Sequence, residues 1–282
     1  MTYTTRMAPS PTGDFHIGSA RTAYFNWLAA KASGGRFILR IDDTDLARND
    51  DAKIAVIHDS LDWLGLTPDA VYRQSHRLDV YRAAADRLID DGLAVRADNG
   101  AILMNGGAAA PWRDLIGGNQ VPSAKAHDLA RDQVLIKADG MPVYHFASVV
   151  DDIDLGVTLV IRGMDHLTNT FRHAGIYAAL GAPLPDFAHV GLIMMDGSKM
   201  SKRDAAASLL GYRNAGVDPD AMLNFLLRMG WGPRQDDKSM AIIDRDRAVD
   251  LFLDGGRMKA SPATLDPAKL AAFDRKYRAR KT

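Results

Sequence analysis

The sequence contains no cysteine among its 282 residues. This absence excludes disulfide bonds, cysteine nucleophiles and thiolate metal sites within the chain. No apolar run approaches the ~20 residues that a membrane-spanning helix needs, and the N-terminal residues have the pattern of neither an export signal nor a transit peptide. We therefore expect a cytoplasmic protein without a membrane partner.

An excess of charge is also absent, because 35 lysines and arginines balance 35 aspartates and glutamates. Nucleic-acid-binding proteins usually carry a basic surplus, so an RNA contact here would depend on a local patch. The segment from Arg275 to Lys281 is such a patch, which we interpret as a frayed basic end rather than as an RNA-binding arm. A monomer is the default expectation for the oligomeric state.

The first part of the chain alternates strand and helix patterns. A short strand near 6–8 leads through two prolines into a helix predicted from Ile17 to Ala32, and the apolar run 36–41 (RFILRI) predicts a buried strand. A second helix is predicted from Lys53 to Leu64, with one apolar face made of Ile54, Ile57, Leu61 and Leu64. This order predicts parallel crossovers and a ligand site at the carboxyl ends of the strands.

The rest of the chain contains further elements and one irregular stretch. Glycine pairs, an alanine tract and Pro122 interrupt residues 92–132, which we interpret as a compact insertion. Strands are predicted at 133–137, 157–162 and 187–194. Helices are predicted at 78–91, 166–180, 218–229 and 244–253, and from Pro267 onward.

The turn before the first helix has features of a phosphate site. Gly13 and Gly18 would let a ligand approach the main chain closely. The N-terminus of a helix presents unpaired N–H groups and a partial positive charge, and His16 stands at that end. For this segment alone, however, we favour the plainer interpretation that His16 and Ser19 cap the helix.

A second basic segment, Lys199-Met200-Ser201-Lys202-Arg203, follows Gly197. Cations on a loop could close over a nucleotide and stabilise charge that develops on phosphoryl oxygens. Taken alone, such a run of charge is typical of a solvated surface.

Together the two segments belong to a longer pattern, in which six stretches occur in order: RMAPSPTGDFHIGSARTA, RFILRIDDTD, PVYHFASVVDDIDLGVTLVIRG, DHLTNTFRH, GSKMSKRD and DAMLNFLLRMGW. Over nearly its whole length the chain resembles the catalytic half of glutamyl-tRNA synthetases, which are class I aminoacyl-tRNA synthetases. The resemblance implies an α/β fold with a Rossmann-like doubly wound parallel sheet. It also implies four parts: the first half of the catalytic domain (1–91), a reduced acceptor-stem insertion (92–132), the second catalytic half (133–213) and a helical stem-contact-like segment (214–282).

The resemblance also implies roles for individual residues. ATP, bound with Mg²⁺, would contact Pro9, Thr12, Gly13, His16, Gly18, Ser19, Lys199, Met200, Ser201, Lys202 and Arg203. His16, Lys199 and Lys202 would act in catalysis, with Lys202 at the α-phosphate. L-Glutamate would be bound by Arg6, Ala8, Ser10, Asp42, Tyr144, Ser148 and Arg162.

The residue types suit such a substrate independently. Two carboxylates and an ammonium call for fork-shaped cations and one carboxylate, which Arg6, Arg162 and Asp42 supply. An arginine pair prefers glutamate to glutamine on charge alone.

The chain departs from the family pattern at several positions. Asp42 stands where glutamyl enzymes usually carry Glu, which shortens the carboxylate and reshapes the pocket; glutaminyl enzymes also use Asp there. Met164 replaces a usual Glu, and Ser148 replaces a usual Asn. The structural zinc of many relatives is not expected, because its cysteine ligands are missing.

The function expected from the resemblance is ATP-dependent activation of glutamate and transfer to the acceptor end of a tRNA. The chain stops early in the stem-contact segment, so we expect it to lack the anticodon-binding domain. Three alternatives stay open: attachment of glutamate to the modified base queuosine of a tRNA for aspartate, a glutamyl ligase with a non-tRNA acceptor, and a catalytically silent binding module.

Overall fold

A computed structural model describes residues 1–45, 47–195, 197–199, 208–234 and 242–281, with the main chain only at Lys199. Its strands are β1 (Thr4–Met7), β2 (Arg36–Ile41), β3 (Ala70–Arg73), β4 (Ala94–Arg96), β5 (Ile102–Met104), β6 (Trp112–Asp114), β7 (Gly118–Gln120), β8 (Val134–Ile136), β9 (Leu159–Gly163), β10 (Asp186–Val190), β11 (Ile193–Met195), β12 (Ser198–Lys199), β13 (Trp231–Pro233), β14 (Gly256–Met258) and β15 (Ala263–Thr264). Its helices are α1 (Ile17–Ala32), α2 (Asp51–Leu64), α3 (Leu78–Asp90), α4 (Ala124–Ala130), α5 (Tyr144–Asp154), α6 (Asn169–Ala179), α7 (Leu209–Asn214), α8 (Pro219–Arg228), α9 (Arg245–Leu251) and α10 (Pro267–Lys281).

A seven-stranded sheet in the order β3-β2-β1-β9-β10-β6-β7 forms the centre of the molecule. Its neighbouring strands run parallel from β3 to β6, and β7 alone is antiparallel to its neighbour. The chain winds outward from β1 in one direction and from β9 in the other, which makes the gap between their carboxyl ends a topological switch point. The predicted doubly wound α/β fold is confirmed.

The first crossover forms as its sequence pattern predicts. Helix α1 and strand β2 have the predicted bounds. Helix α2 begins at Asp51 rather than at Lys53, because the Asp50 carboxylate caps it by accepting from the Ala52 N–H at 2.8 Å. The predicted apolar face of α2 is buried in the hydrophobic core that also contains residues of α1 and β2.

The single strand predicted at 187–194 is wrong. Strand β10 ends at Val190, and β11 begins at Ile193 in a different sheet, between β12 and β15. Gly191 causes the break, since its N–H donates to the Lys259 carbonyl at 3.0 Å and a Cβ there would lie 2.1 Å from the Ser261 carbonyl oxygen. The helix predicted from His166 likewise begins later, at Asn169, after a short 3₁₀ turn at Met164–His166.

The stretch 92–132 contains more regular structure than its sequence suggests. Strands β6 and β7 extend the central sheet beyond β10, while β4 and β5 form a small antiparallel sheet with β8. The Trp112 ring makes edge contacts with Phe171 on α6 and Phe187 on β10, which fixes β6 against these two elements. The fourfold division of the chain stays a prediction.

The C-terminal helices pack against helices α1 and α2. Apolar residues of α8, α9 and α10 are buried in the same core as those of α1 and α2. No helix among the described residues is long and apolar enough to cross a membrane.

The interpretation of the segment 275–281 as a frayed end is wrong. It forms the last turns of α10 up to Lys281. The Lys281 ammonium lies 2.6 Å from the Asp218 carboxylate, and the Arg280 guanidinium lies 3.0 Å from that of Asp244. These pairs attach the helix to the N-terminal ends of α8 and α9.

Candidate active site

A cavity of about 610 Å³ opens at the carboxyl ends of β1 and β9, the switch point of the sheet. The last residues of both strands, Met7 and Gly163, line it. The cavity brings together most of the site residues predicted before the second signature, namely Arg6, Ala8, Pro9, Ser10, Thr12, His16, Gly18, Ser19, Tyr144 and Arg162. Gly13, Asp42 and Ser148 are not among its lining residues.

His16 stands at the N-terminus of α1, on the wall of this cavity. Its Nδ1 accepts from the Ser19 N–H at 3.2 Å, so the imidazole caps the helix. Its main chain forms an isolated antiparallel bridge with Ser208. Ser208, which follows the second signature in the sequence, therefore lies next to the first signature.

The second signature is described only at its start. Lys199 pairs with Met194 across the β11–β12 hairpin, next to the cavity residue Ile193. Met200, Ser201, Lys202 and Arg203 lie outside the described residues. Their expected contacts with ATP stay predictions.

Two buried arginines, Arg6 and Arg162, approach the cavity from neighbouring strands, and they differ in their partners. The Arg6 Nε donates to the Asp152 carboxylate at 3.1 Å. Arg162 donates to neutral groups instead: its Nε to His189 Nε2 at 3.0 Å and its Nη2 to Thr170 Oγ1 at 2.7 Å. Within the described ranges, the ion pairs of the structure include none between Arg162 and a carboxylate.

The charge of Arg162 is consequently poorly compensated. Burial lowers the pKa of its guanidinium below the usual value. Burial also lowers the pKa of His145 and of His166 to about 4, and that of His173 and His189 below the usual range. The histidines around Arg162 are thus neutral near pH 7, and an anionic ligand would find an unneutralised cation.

Asp42 follows β2 and lines an adjoining cavity of about 430 Å³, which shares Ser10, Thr12 and Tyr144 with the larger one. Its carboxylate accepts from Arg40 Nε at 2.7 Å. Burial raises the pKa of Asp42 to about 6, although the charge of Arg40 opposes the shift. The Asp42 carboxylate thus lies beside the larger cavity rather than in its wall.

The remaining predicted residues have supporting positions. Ser148 is buried on α5, where its hydroxyl and its carbonyl each accept from Arg40 at 3.3 Å. Gly13 lies in the turn before α1. Tyr144 begins α5 and lines both cavities.

A buried ion network beneath the cavity was missed by the sequence analysis. Arg40 is fully buried and lies within 3.6 Å of the carboxylates of Asp42, Asp151 and Asp152. The signal was present in the sequence, because Asp151 and Asp152 adjoin each other in the otherwise apolar helix FASVVDD. Two adjacent acids on a buried helix require cations nearby.

Arg21 is a second missed residue of the cavity wall. Its guanidinium donates to the carbonyls of Gly191 at 2.6 Å and Met229 at 2.8 Å. Burial lowers its pKa to about 10. This side chain ties α1 to the end of β10 and to the end of α8.

The chain is similar in sequence to known proteins. The family model of class I tRNA synthetases (E and Q), catalytic domain, matches residues 2–106 and 102–261. The chain is 44% identical over 280 residues to glutamate–tRNA ligase 2 of Neorickettsia sennetsu, covering 98% of this chain and 66% of the relative. It is also 44% identical over 278 residues to glutamate–tRNA ligase 1 of Rubrobacter xylanophilus, covering 96% of this chain and 63% of the relative.

A solved structure supports the same relationship. The crystal structure of a glutamate tRNA ligase from Elizabethkingia meningosepticum in complex with its amino acid superposes with a TM-score of 0.86 at 27% identity, covering 98% of this chain and 70% of that one. The chain spans just under two thirds of the length of the curated relatives named above. It belongs to the family of class I tRNA synthetase (E and Q) catalytic domains.

Proposed function

We propose that the chain activates L-glutamate with ATP to glutamyl-adenylate and transfers the glutamyl group to tRNA. The observation that carries this proposal is the buried Arg162 guanidinium, held by neutral acceptors in a cavity that the N-terminus of α1 also lines. The relatives named as glutamate–tRNA ligases support the substrate.

Glutamate would be held by charges at the ends of three strands. Arg162 and Arg6 would receive its carboxylates, and Asp42 would receive its ammonium through the space that joins the two cavities. Arginine binds carboxylates with paired N–H groups, which fixes their orientation as well as their charge. Tyr144, Ala8 and Ser10 would complete the wall, with Ser148 behind it through Arg40.

ATP would lie along the other side of the cavity. His16 and the first turn of α1 line this space, and the N-terminus of a helix suits phosphate oxygens. Mg²⁺ would enter bound to the ATP phosphates, since this ion usually keeps several waters and takes few protein ligands.

The proposed reaction has two steps. An oxygen of the glutamate α-carboxylate bonds to the α-phosphorus while the bond from that phosphorus to the bridging oxygen breaks, and pyrophosphate leaves. A hydroxyl at the 3′ end of tRNA then attacks the mixed anhydride carbonyl, and AMP leaves. Neither step needs a protein nucleophile, because holding the reactants in line supplies much of the acceleration.

Pyrophosphate exchange with the full chain tests the first step. We expect glutamate-dependent incorporation of labelled pyrophosphate into ATP, measured with and without tRNA. No exchange with any amino acid under either condition would overturn the activation chemistry.

Alkali lability of the product tests the second step. An ester at the tRNA end is hydrolysed at mildly alkaline pH, so we expect the label to be released. A charged tRNA that keeps its glutamate under those conditions would overturn an ester at the 3′ end.

A further inference from the structure

Two buried side chains outside the lining of the cavity, those of Asp114 and His189, hold Arg162 in position. We propose that Asp114 and His189 form a positioning dyad that holds Arg162 with neutral acceptors, so that its whole charge is available to select a carboxylate over an amide. The proposal rests on the proposed binding of glutamate at this site.

The contacts form a chain across three strands. The Asp114 Oδ2 on β6 lies 2.6 Å from His189 Nδ1 on β10, and His189 Nε2 lies 3.0 Å from Arg162 Nε on β9. Both members of the dyad are buried, with Asp114 at 1% and His189 at 0% exposure. The His189 ring is stacked on Phe187 and contacts Trp112 at 5.5 Å between centroids, so its plane is fixed by packing.

These contacts determine which nitrogen of His189 carries the proton. The Asp114 carboxylate is surrounded by donors: Oδ1 accepts from the N–H groups of Ile116 and Gly117, and Oδ2 accepts from the His189 N–H at 3.0 Å. A carboxylate accepts only, so the proton of a neutral His189 must lie on Nδ1. The Nε2 lone pair then faces Arg162, which has only donors. Burial lowers the pKa of His189, in agreement with a neutral ring.

His189 and Thr170 orient the Arg162 guanidinium, but as neutral acceptors they do not neutralise its charge. Arg162 Nε and Nη2 are held by His189 and Thr170, while its Nη1 lies 3.5 Å from His173 Nδ1. Arg6 illustrates the alternative, since its Nε donates directly to the Asp152 carboxylate and its charge is partly neutralised there. The His189 ring separates the Asp114 carboxylate from Arg162, so Arg162 is oriented like Arg6 but through an imidazole acceptor instead of a direct contact with a carboxylate.

Two substitutions at position 189 separate positioning from mere packing. In His189→Gln the amide oxygen reaches the place of Nε2 and still accepts from Arg162. In His189→Asn the shorter amide reaches Asp114 but not Arg162. Both remove the same ring and its aromatic contacts, so each is the control for the other in unfolding by urea.

Pyrophosphate exchange is the first measurement. For His189→Asn we expect KM for glutamate to rise about tenfold, because a charge-assisted hydrogen bond that orients the cation is lost, while kcat and KM for ATP change little. The ratio of kcat/KM for glutamate over glutamine should fall by a similar factor. His189→Gln should stay within about threefold of the unmodified chain in both quantities. Equal losses in the two variants, or losses that follow their unfolding midpoints, would overturn the dyad.

A second measurement does not depend on activity. In the full chain labelled with ¹⁵N-histidine, NMR should show His189 as the Nδ1–H tautomer near pH 7, and Asp114→Asn should perturb that signal. An Nε2–H tautomer or an imidazolium at that pH would overturn the dyad even if the chain is inactive. Absent exchange by the unmodified chain, with the expected tautomer, would instead overturn the proposed function alone.

Discussion

At the scale of single residues, the site is built on a buried network of unlike charges. Arg40 lies between Asp42, Asp151 and Asp152, and hydrogen bonds to Ser148 complete its shell. Asp151 also accepts from Arg77 Nε at 2.8 Å. Such a network holds the floor of the cavity in one arrangement, because Arg40 is the buried cation that the three acids share.

Replacing the central cation tests this role. We expect Arg40→Met to lower the free energy of unfolding by about 3–5 kcal/mol, since the acids around it lose their shared partner. Urea denaturation measures the change. Arg36→Met is the control, because Arg36 begins the same strand on the exposed surface; similar losses in both variants would contradict a special role for Arg40.

Asp42 should make glutamate binding depend on pH. Its pKa of about 6 means that the carboxyl becomes protonated below that pH, and a neutral carboxyl attracts an ammonium weakly. We expect KM for glutamate to rise about tenfold between pH 7.5 and pH 5. His145 and His166, with pKa values of about 4, stay neutral over this window.

Asp42→Asn is the matched variant for this experiment. It should raise KM at pH 7.5 and remove most of its pH dependence. A pH profile that is unchanged in Asp42→Asn would assign the titration to another group.

At the scale of elements, local sequence patterns predicted the first crossover closely, but they predicted neither helix α5 nor the end of strand β10. The spacing of Ile54, Ile57, Leu61 and Leu64 predicted the buried face of α2, since an amphipathic period is a local property. The break after β10 depends on Gly191 pairing with Lys259, far along the chain, so no local pattern could indicate it.

The candidate site divides in the same way. Segments that carry a continuous motif, such as the residues around His16, were predicted together with the wall they form. Contacts such as that between Asp114 and His189 join strands β6 and β10, whose adjacency the sequence did not predict because residues 92–132 resemble an irregular insertion.

Helix α1 gives His16 two possible roles, which substitutions can separate. His16→Ala removes both the cap and the ring and should cost about 1 kcal/mol of stability. His16→Asn keeps a good capping group and should restore the unfolding midpoint. If His16 contacts phosphate as proposed, kcat for pyrophosphate exchange should stay low in both variants, whereas recovery in His16→Asn would reduce His16 to a cap.

At the scale of the whole molecule, the C-terminal segment and the sheet meet by close main-chain approach. Gly191, after β10, lies against Ser261 and Lys259 with no room for a side chain. Arg21 holds the Gly191 carbonyl from the other side. Leu192 and Ile193 are the next two residues of the chain and line the cavity, so this contact positions that part of the cavity wall.

A methyl group at position 191 should lower the stability of the fold. We expect Gly191→Ala to lower stability by about 1–3 kcal/mol, because the added Cβ must displace backbone. Gly175→Ala is the control, since a Cβ there meets nothing closer than 3.8 Å and alanine favours the helix. Thermal unfolding compares the two, and an equally mild effect at both sites would contradict the close approach.

The position of β1 in the sheet has a consequence for how the molecule folds. Strand β1 is joined to its neighbour β2 by the crossover helix α1, whereas its other neighbour, β9, pairs with it through Thr5 and Leu159, which lie far apart in the chain. Closing distant contacts is slower than closing local ones. Glutamate binding should therefore recover late in refolding, after the first crossover has formed. Its recovery would mark the pairing of β1 with β9 rather than the folding of the first half of the chain.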